Sequence, residues 1–178
     1  MAIRIKGILT LIIFFLVCMG ISFYISRYMF VVYPVEGESM VPTISHGDKV
    51  LVYRTDKIEH GDIVVFDSEA YEKCLIKRVI GLEGDFIEIK YDEETSSYQV
   101  YRNQNLLIEE YIREPMLSSY YDMEVEVPPG KMFFLGDNRN WSLDSHNSEI
   151  MEDVSTIQGR VIMRYDGFDI SFFALLEA

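Results

Sequence analysis

Residues 7–25, GILTLIIFFLVCMGISFYI, run for 19 positions without a charge and without alternation between faces. As a helix this run is about 28 Å long at 1.5 Å per residue, close to the roughly 30 Å hydrocarbon core of a bilayer. A helix of a soluble protein keeps a polar face, so a run apolar on every side suits a membrane span. Arg4 and Lys6 stand before it, and Arg27 ends it. The rival reading is a cleavable signal peptide with Gly20-Ile21-Ser22 as its small-x-small site. Apolar and aromatic residues continue through Tyr33, which favours a retained anchor.

Past the anchor the period shortens. Strand-favouring runs recur at residues 49–53, 63–66, 74–80, 86–91, 98–101, 123–127, 132–135 and 160–165. Turn signals separate them: His46-Gly47-Asp48, His60-Gly61-Asp62, Glu83-Gly84-Asp85, Pro128-Pro129-Gly130 and Gly136-Asp137-Asn138. Many short strands with regular turns predict an antiparallel all-β domain. Residues 91–122 differ. They are polar and acidic and include Tyr98, Tyr101, Tyr111, Tyr120 and Tyr121, so they read as a small strand-rich insertion or cap. The predicted organisation is residues 1–6 as a cytoplasmic N-terminus and 7–27 as the transmembrane anchor. Residues 28–90 and 123–178 form an extracytoplasmic β domain, interrupted by the insertion at 91–122.

Charge adds direction to this picture. The chain carries a net −13, yet all 29 acidic residues follow Arg27, where 13 basic residues leave a net −16. With Arg4 and Lys6 ahead of the span, the positive-inside rule puts the N-terminus in the cytoplasm and the rest outside a cell membrane crossed once. An acidic outer part excludes a nucleic-acid binder, which needs a basic footprint. Two cysteines cannot build a disulfide framework. Cys18 lies in the span, and Cys74 reads as a small buried hydrophobe.

Three segments hold the candidate chemistry. In Glu36-Gly37-Glu38-Ser39-Met40-Val41-Pro42-Thr43, a serine sits on a backbone constrained by Gly37 and Pro42. In Cys74-Leu75-Ile76-Lys77-Arg78-Val79-Ile80-Gly81, strand alternation puts Leu75, Lys77 and Val79 on one face and Cys74, Ile76, Arg78 and Ile80 on the other. Both faces are otherwise apolar, so at least one of the two charges is held in an unusual environment. Arginine keeps its proton in a protein, whereas a desolvated lysine can lose it. The competing reading is that both side chains snorkel or pair with acids. The third segment is Gly136-Asp137-Asn138-Arg139-Asn140-Trp141-Ser142-Leu143-Asp144-Ser145-His146, dense in hydrogen-bonding groups. Read alone, it is a polar turn network. His46 and His60 read as surface residues beside Gly-Asp turns, and no metal-ligand spacing occurs.

Taken in order behind an N-terminal anchor, these segments resemble bacterial type I signal peptidases, in particular the small single-anchor Gram-positive forms. The resemblance runs through Gly37-Glu38-Ser39-Met40-Val41-Pro42-Thr43, Gly61-Asp62-Ile63-Val64-Val65-Phe66 and Lys77-Arg78-Val79-Ile80-Gly81-Leu82-Glu83-Gly84-Asp85. It ends with Gly136-Asp137-Asn138-Arg139 and with Ser142, Asp144 and Ser145. It implies antiparallel sheets of the signal-peptidase type and a serine endopeptidase that cuts signal peptides from exported preproteins after small-x-small sites. It also implies contact with membrane lipid and no cofactor. By the same resemblance Ser39 is the nucleophile and Lys77 the general base. Ser142 orients the lysine, and Asp144 supports the loop through Arg78 or Arg139. The backbone N–H of Ser39 forms the oxyanion hole.

Two departures stand out. Gly37 occupies a position where many Gram-negative relatives carry a second, serine oxyanion donor. His146 replaces the usual arginine, and residues 147–150 lack the usual glycine. The departures leave room for a specialised peptidase or a non-catalytic chaperone in pilus or cell-surface assembly. His146 with Asp144 also offers a histidine base as an alternative to Lys77.

Overall fold

The computed structural model describes residues 2–117, 122–146 and 150–173, with side chains from Gly7 onward. Tyr120, Tyr121, residues 147–149 and 174–176 and the side chains of Arg4 and Lys6 lie outside the described residues. The apolar run forms helix α1, Ala2–Met29, and its stretch Gly7–Met29 is long and apolar enough to cross a membrane. None of that stretch is buried against the rest of the molecule. Strand β1, Phe30–Pro34, starts at the next residue.

Eleven more strands follow. They are β2 (Lys49–Tyr53), β3 (Ile63–Ser68), β4 (Lys73–Leu82), β5 (Phe86–Asp92), β6 (Ser97–Arg102) and β7 (Asn105–Leu106). The chain then forms β8 (Met123–Glu126), β9 (Lys131–Leu135), β10 (Glu152–Asp153), β11 (Ile157–Tyr165) and β12 (Ile170–Phe172). The larger sheet runs β1-β2-β11-β3-β4-β9-β10, with β12 also on β11, and all its pairs are antiparallel. The smaller sheet runs β7-β6-β5-β8, so it takes in residues from Phe86 to Glu126.

All eight strand-favouring runs lie wholly or largely in strands. β1 went unread because its apolar residues look like a continuation of the anchor. Of the aromatics there, Tyr28 is exposed, Phe30 packs on Tyr53 with ring centroids 5.6 Å apart, and Tyr33 packs against the core. The apolar tail beginning at Phe168 closes the sheet through β12, yet Phe168 and Phe172 remain exposed.

Alternation along the strands builds three apolar clusters. Val35, Met40, Ile44, Val50, Val52 and Val65 belong to the one beneath the β1–β2 connection. Val64, Phe66, Val79, Met132 and Phe134 form another on the opposite face of β3. Ile80, Ile87, Ile89, Val100 and Phe133 join the two sheets. β11 belongs to both halves of the larger sheet because it bends at two register shifts. Gly159 makes this possible. Its φ is +152°, and a Cβ there would lie 2.3 Å from the Tyr53 carbonyl oxygen.

Candidate active site

Ser39 sits between β1 and β2, at the start of a single helical turn in which Ile44 N–H donates to the Met40 carbonyl at 2.9 Å. Burial of Met40 and Ile44 fastens this turn to the core, while Ser39 stays half-buried. Asn138 holds the segment from the far side. Its backbone N–H donates to the Ser39 carbonyl at 2.9 Å, and its side-chain amide donates to the Glu38 carbonyl at 3.0 Å.

Lys77 lies in the middle of β4 and is only 2% exposed. It pairs in register with Val64 and shares a sheet face with Leu75 and Val79. Burial draws its ammonium pKa down to about 8, against the upward pull of the Asp144 and Asp137 charges. Across the next ladder Arg78 pairs with Leu135. Gly136 directly follows Leu135, at the end of this ladder nearest Lys77. A Cβ on Gly136 would lie 2.3 Å from Ser142 Oγ and 2.5 Å from the Ser39 carbonyl oxygen. Ser39 and Ser142 thus converge on Gly136, which has no room for a methyl group and sits at the end of the ladder beside Lys77.

The charges around this point pair differently from the sequence expectation. Arg78 donates from Nε to Asp137 Oδ1 at 2.9 Å and from Nη2 to Oδ2 at 2.6 Å, and its guanidinium stacks 3.8 Å from the centre of the Tyr111 ring. Thr43 donates to the same Asp137 carboxylate, tying the serine turn to β4. Arg139 is 1% exposed and makes a two-pronged bond to Glu109, both contacts at 2.7 Å. Asp144, expected to work through Arg78 or Arg139, receives the Gly136 N–H at 2.9 Å and the ring of His146, and its charge is felt at Arg139. Each arginine fork meets a carboxylate, one of them supplied by the segment after β7.

A buried guanidinium stripped of its counterion is costly. Glu109→Ala is therefore expected to destabilise the folded domain by about 3–5 kcal/mol. Urea unfolding of the full chain in detergent, followed by tryptophan fluorescence, measures this.

A cleft of about 270 Å³ opens beside Ser39. One wall is the chain leaving β1, from Tyr33 to Gly37, and the other is Cys74, Leu75 and Ile76 at the start of β4, with Val65 between them. Cys74 is exposed in this wall, which corrects the expectation of a buried hydrophobe. The first residues of β4 have only β3 alongside, so they lack the cover that hides Lys77 and Val79. His46 and His60 face outward. His46 accepts from Gly37 N–H at 3.2 Å, and His60 bonds to Asp85 at 2.6 Å.

The family model for signal peptidase, peptidase S26, matches residues 8–166. The chain belongs to the signal peptidase family. It is a membrane-anchored peptidase that cleaves signal peptides. Similar proteins include signal peptidase I U of Bacillus subtilis (strain 168), 37% identical over 70% of each chain. Signal peptidase IB of Staphylococcus aureus (strain COL) is 32% identical over 90% of each. A crystal structure of a signal peptidase I from Enterococcus faecalis V583 aligns with a TM-score of 0.49 at 28% identity, over 58% of this chain and 96% of that one. These relatives give no support to the assembly-factor alternative.

The roles that went unread around this peptidase's site are the close approach at Gly136, Glu109 as the partner of Arg139, and the pairing of Asp137 with Arg78. Gly136 carries a sequence signal, since it ends an apolar strand and opens a polar loop, but the close approach that requires it is tertiary. Glu109 carries none among so many acids.

Proposed function

We propose that Ser39 and Lys77 form a serine–lysine dyad that hydrolyses the peptide bond after the signal peptide. The observation that carries this is the buried Lys77, its pKa drawn to about 8, beside the end of the ladder where Gly136 leaves room for Ser39 and Ser142. Ser39 Oγ attacks the scissile carbonyl as its proton passes to neutral Lys77 Nζ. The Ser39 N–H, which donates to no acceptor among the described residues, faces the developing oxyanion. The lysine ammonium then protonates the leaving amine of the mature protein. Lys77 next takes a proton from water, which attacks the acyl-enzyme, and returns it to Ser39 Oγ as the ester bond breaks and frees the signal peptide. Ser142 Oγ, against Gly136, orients Lys77 Nζ, and Asp144 holds the loop behind it.

An extended preprotein lies in the cleft between residues 33–37 and 74–76, adding a strand whose alternate residues point into the walls. The narrow cleft admits small side chains, hence small-x-small sites. Arg4 and Lys6 hold the N-terminus in the cytoplasm, so the site lies outside the membrane, and Tyr28 meets the lipid interface.

Purified full-length protein in detergent is expected to cleave a preprotein that ends in alanine before the cut, and Ser39→Ala to leave it intact. kcat/KM should rise with pH as Lys77 loses its proton around pH 8, then level off. An acid optimum, or cleavage by Lys77→Ala, overturns the dyad.

A further inference from the structure

Asp144 is fully buried, its charge acts on Lys77, and both its oxygens are engaged. Oδ2 accepts the Gly136 N–H at 2.9 Å, at the residue that lies against Ser39 and Ser142. Oδ1 accepts from the ring Nδ1 of His146, whose side chain is 6% exposed. A carboxylate can only accept, so Nδ1 carries a proton whether or not the ring is charged. The Asp144–His146 pair is therefore a buried acid–imidazole unit that acts on the lysine, and its net charge is either −1 or zero.

We propose that His146 is a positioning residue whose charge, acting through Asp144, sets how readily Lys77 gives up its proton. The proposal rests on Lys77 being the base. With His146 neutral, less of the Asp144 charge is balanced, and the remainder favours the Lys77 ammonium. With His146 protonated, the imidazolium cancels that charge and releases Lys77 to the neutral, reactive form.

The other groups facing this unit have partners of their own. Arg78 is occupied by Asp137, and Arg139 is held by Glu109. The Tyr71 hydroxyl donates to the Asp144 backbone carbonyl at 3.4 Å, and Glu152 accepts from Ser68 at the end of β3. The charge of Asp144 itself is felt at Lys77, Tyr71 and Arg139, on three separate segments.

The test compares His146→Arg, a permanent cation, with His146→Gln, a neutral donor, in the full-length protein. The rising limb of kcat/KM against pH is expected about one pH unit lower for Arg than for Gln, giving Arg about tenfold higher activity near pH 7. Wild type should lie between them. In an Asp144→Asn background the His146→Gln change should move the limb much less, since the relay is gone. Thermal unfolding of each variant separates folding loss from the effect on the base. If Gln does not fold, the limb for Arg must still lie below that of wild type. Limbs that coincide in folded Arg and Gln variants, or a Gln limb below Arg, overturn the role of His146 and leave the dyad standing. Turnover by Lys77→Ala that disappears with His146→Gln overturns the dyad itself in favour of a histidine base.

Discussion

Lys77→Met is expected to lose cleavage and gain stability together. The loss should be about 10⁴-fold in kcat/KM, as for removal of one member of a unit that moves a single proton. Ser39→Ala should cost as much, and the double variant no more than either alone. Stability moves the other way because the folded chain holds its lysine where an ammonium is poorly solvated. The group titrates near 8 when folded and at its ordinary 10.5 when unfolded. Below about pH 8 both states are protonated, and the folded state carries the full penalty, about 3 kcal/mol. Between 8 and 10.5 the unfolded chain binds more protons, so wild-type stability climbs with pH. Methionine has a similar length and no charge, so it should be about 3 kcal/mol more stable at pH 7, with the advantage gone near pH 10.5. Urea unfolding at the two pH values measures both ends. A variant no more stable than wild type at pH 7 would mean that Lys77 is not a strained buried cation.

Gly136→Ala should also be damaging although it touches no reacting atom. The added carbon would sit 2.3 Å from Ser142 Oγ and 2.5 Å from the Ser39 carbonyl oxygen. Ser142 can rotate, but the Ser39 carbonyl is backbone, held by the Asn138 N–H at 2.9 Å. Relief requires Ser39 to move relative to Lys77, and a displacement of about 1 Å at a reacting group costs on the order of 100-fold. Overpacking of this kind also destabilises by about 1–3 kcal/mol. The loss should fall on kcat more than KM, since the cleft walls at residues 33–37 and 74–76 lie elsewhere. Full activity in a folded variant would show that Ser39 does not depend on this contact.

Local pattern was enough for the anchor, the eight main strands and the all-β class, because hydrophobic run length and alternation are properties of neighbouring residues. The candidate dyad was legible for a related reason: Ser39 and Lys77 sit in short motifs whose order along the chain is itself specific. Partner choice was not legible. With 29 acids available, nothing local tells Arg139 to take Glu109, Arg78 to take Asp137, or Asp144 to take His146. Those pairings follow from which loops the two sheets bring together. β1 escaped because its residues are as apolar as the helix before it, and only pairing with β2 separates the two. Cys74 and Lys77 lie on one strand, yet the first is exposed and the second buried, since β9 covers β4 only from Arg78 onward and other segments close over Lys77. The sequence alone determined which residue types are present to do the chemistry. The tertiary structure decided which of them lose contact with water, and that desolvation is what makes a lysine available as a base.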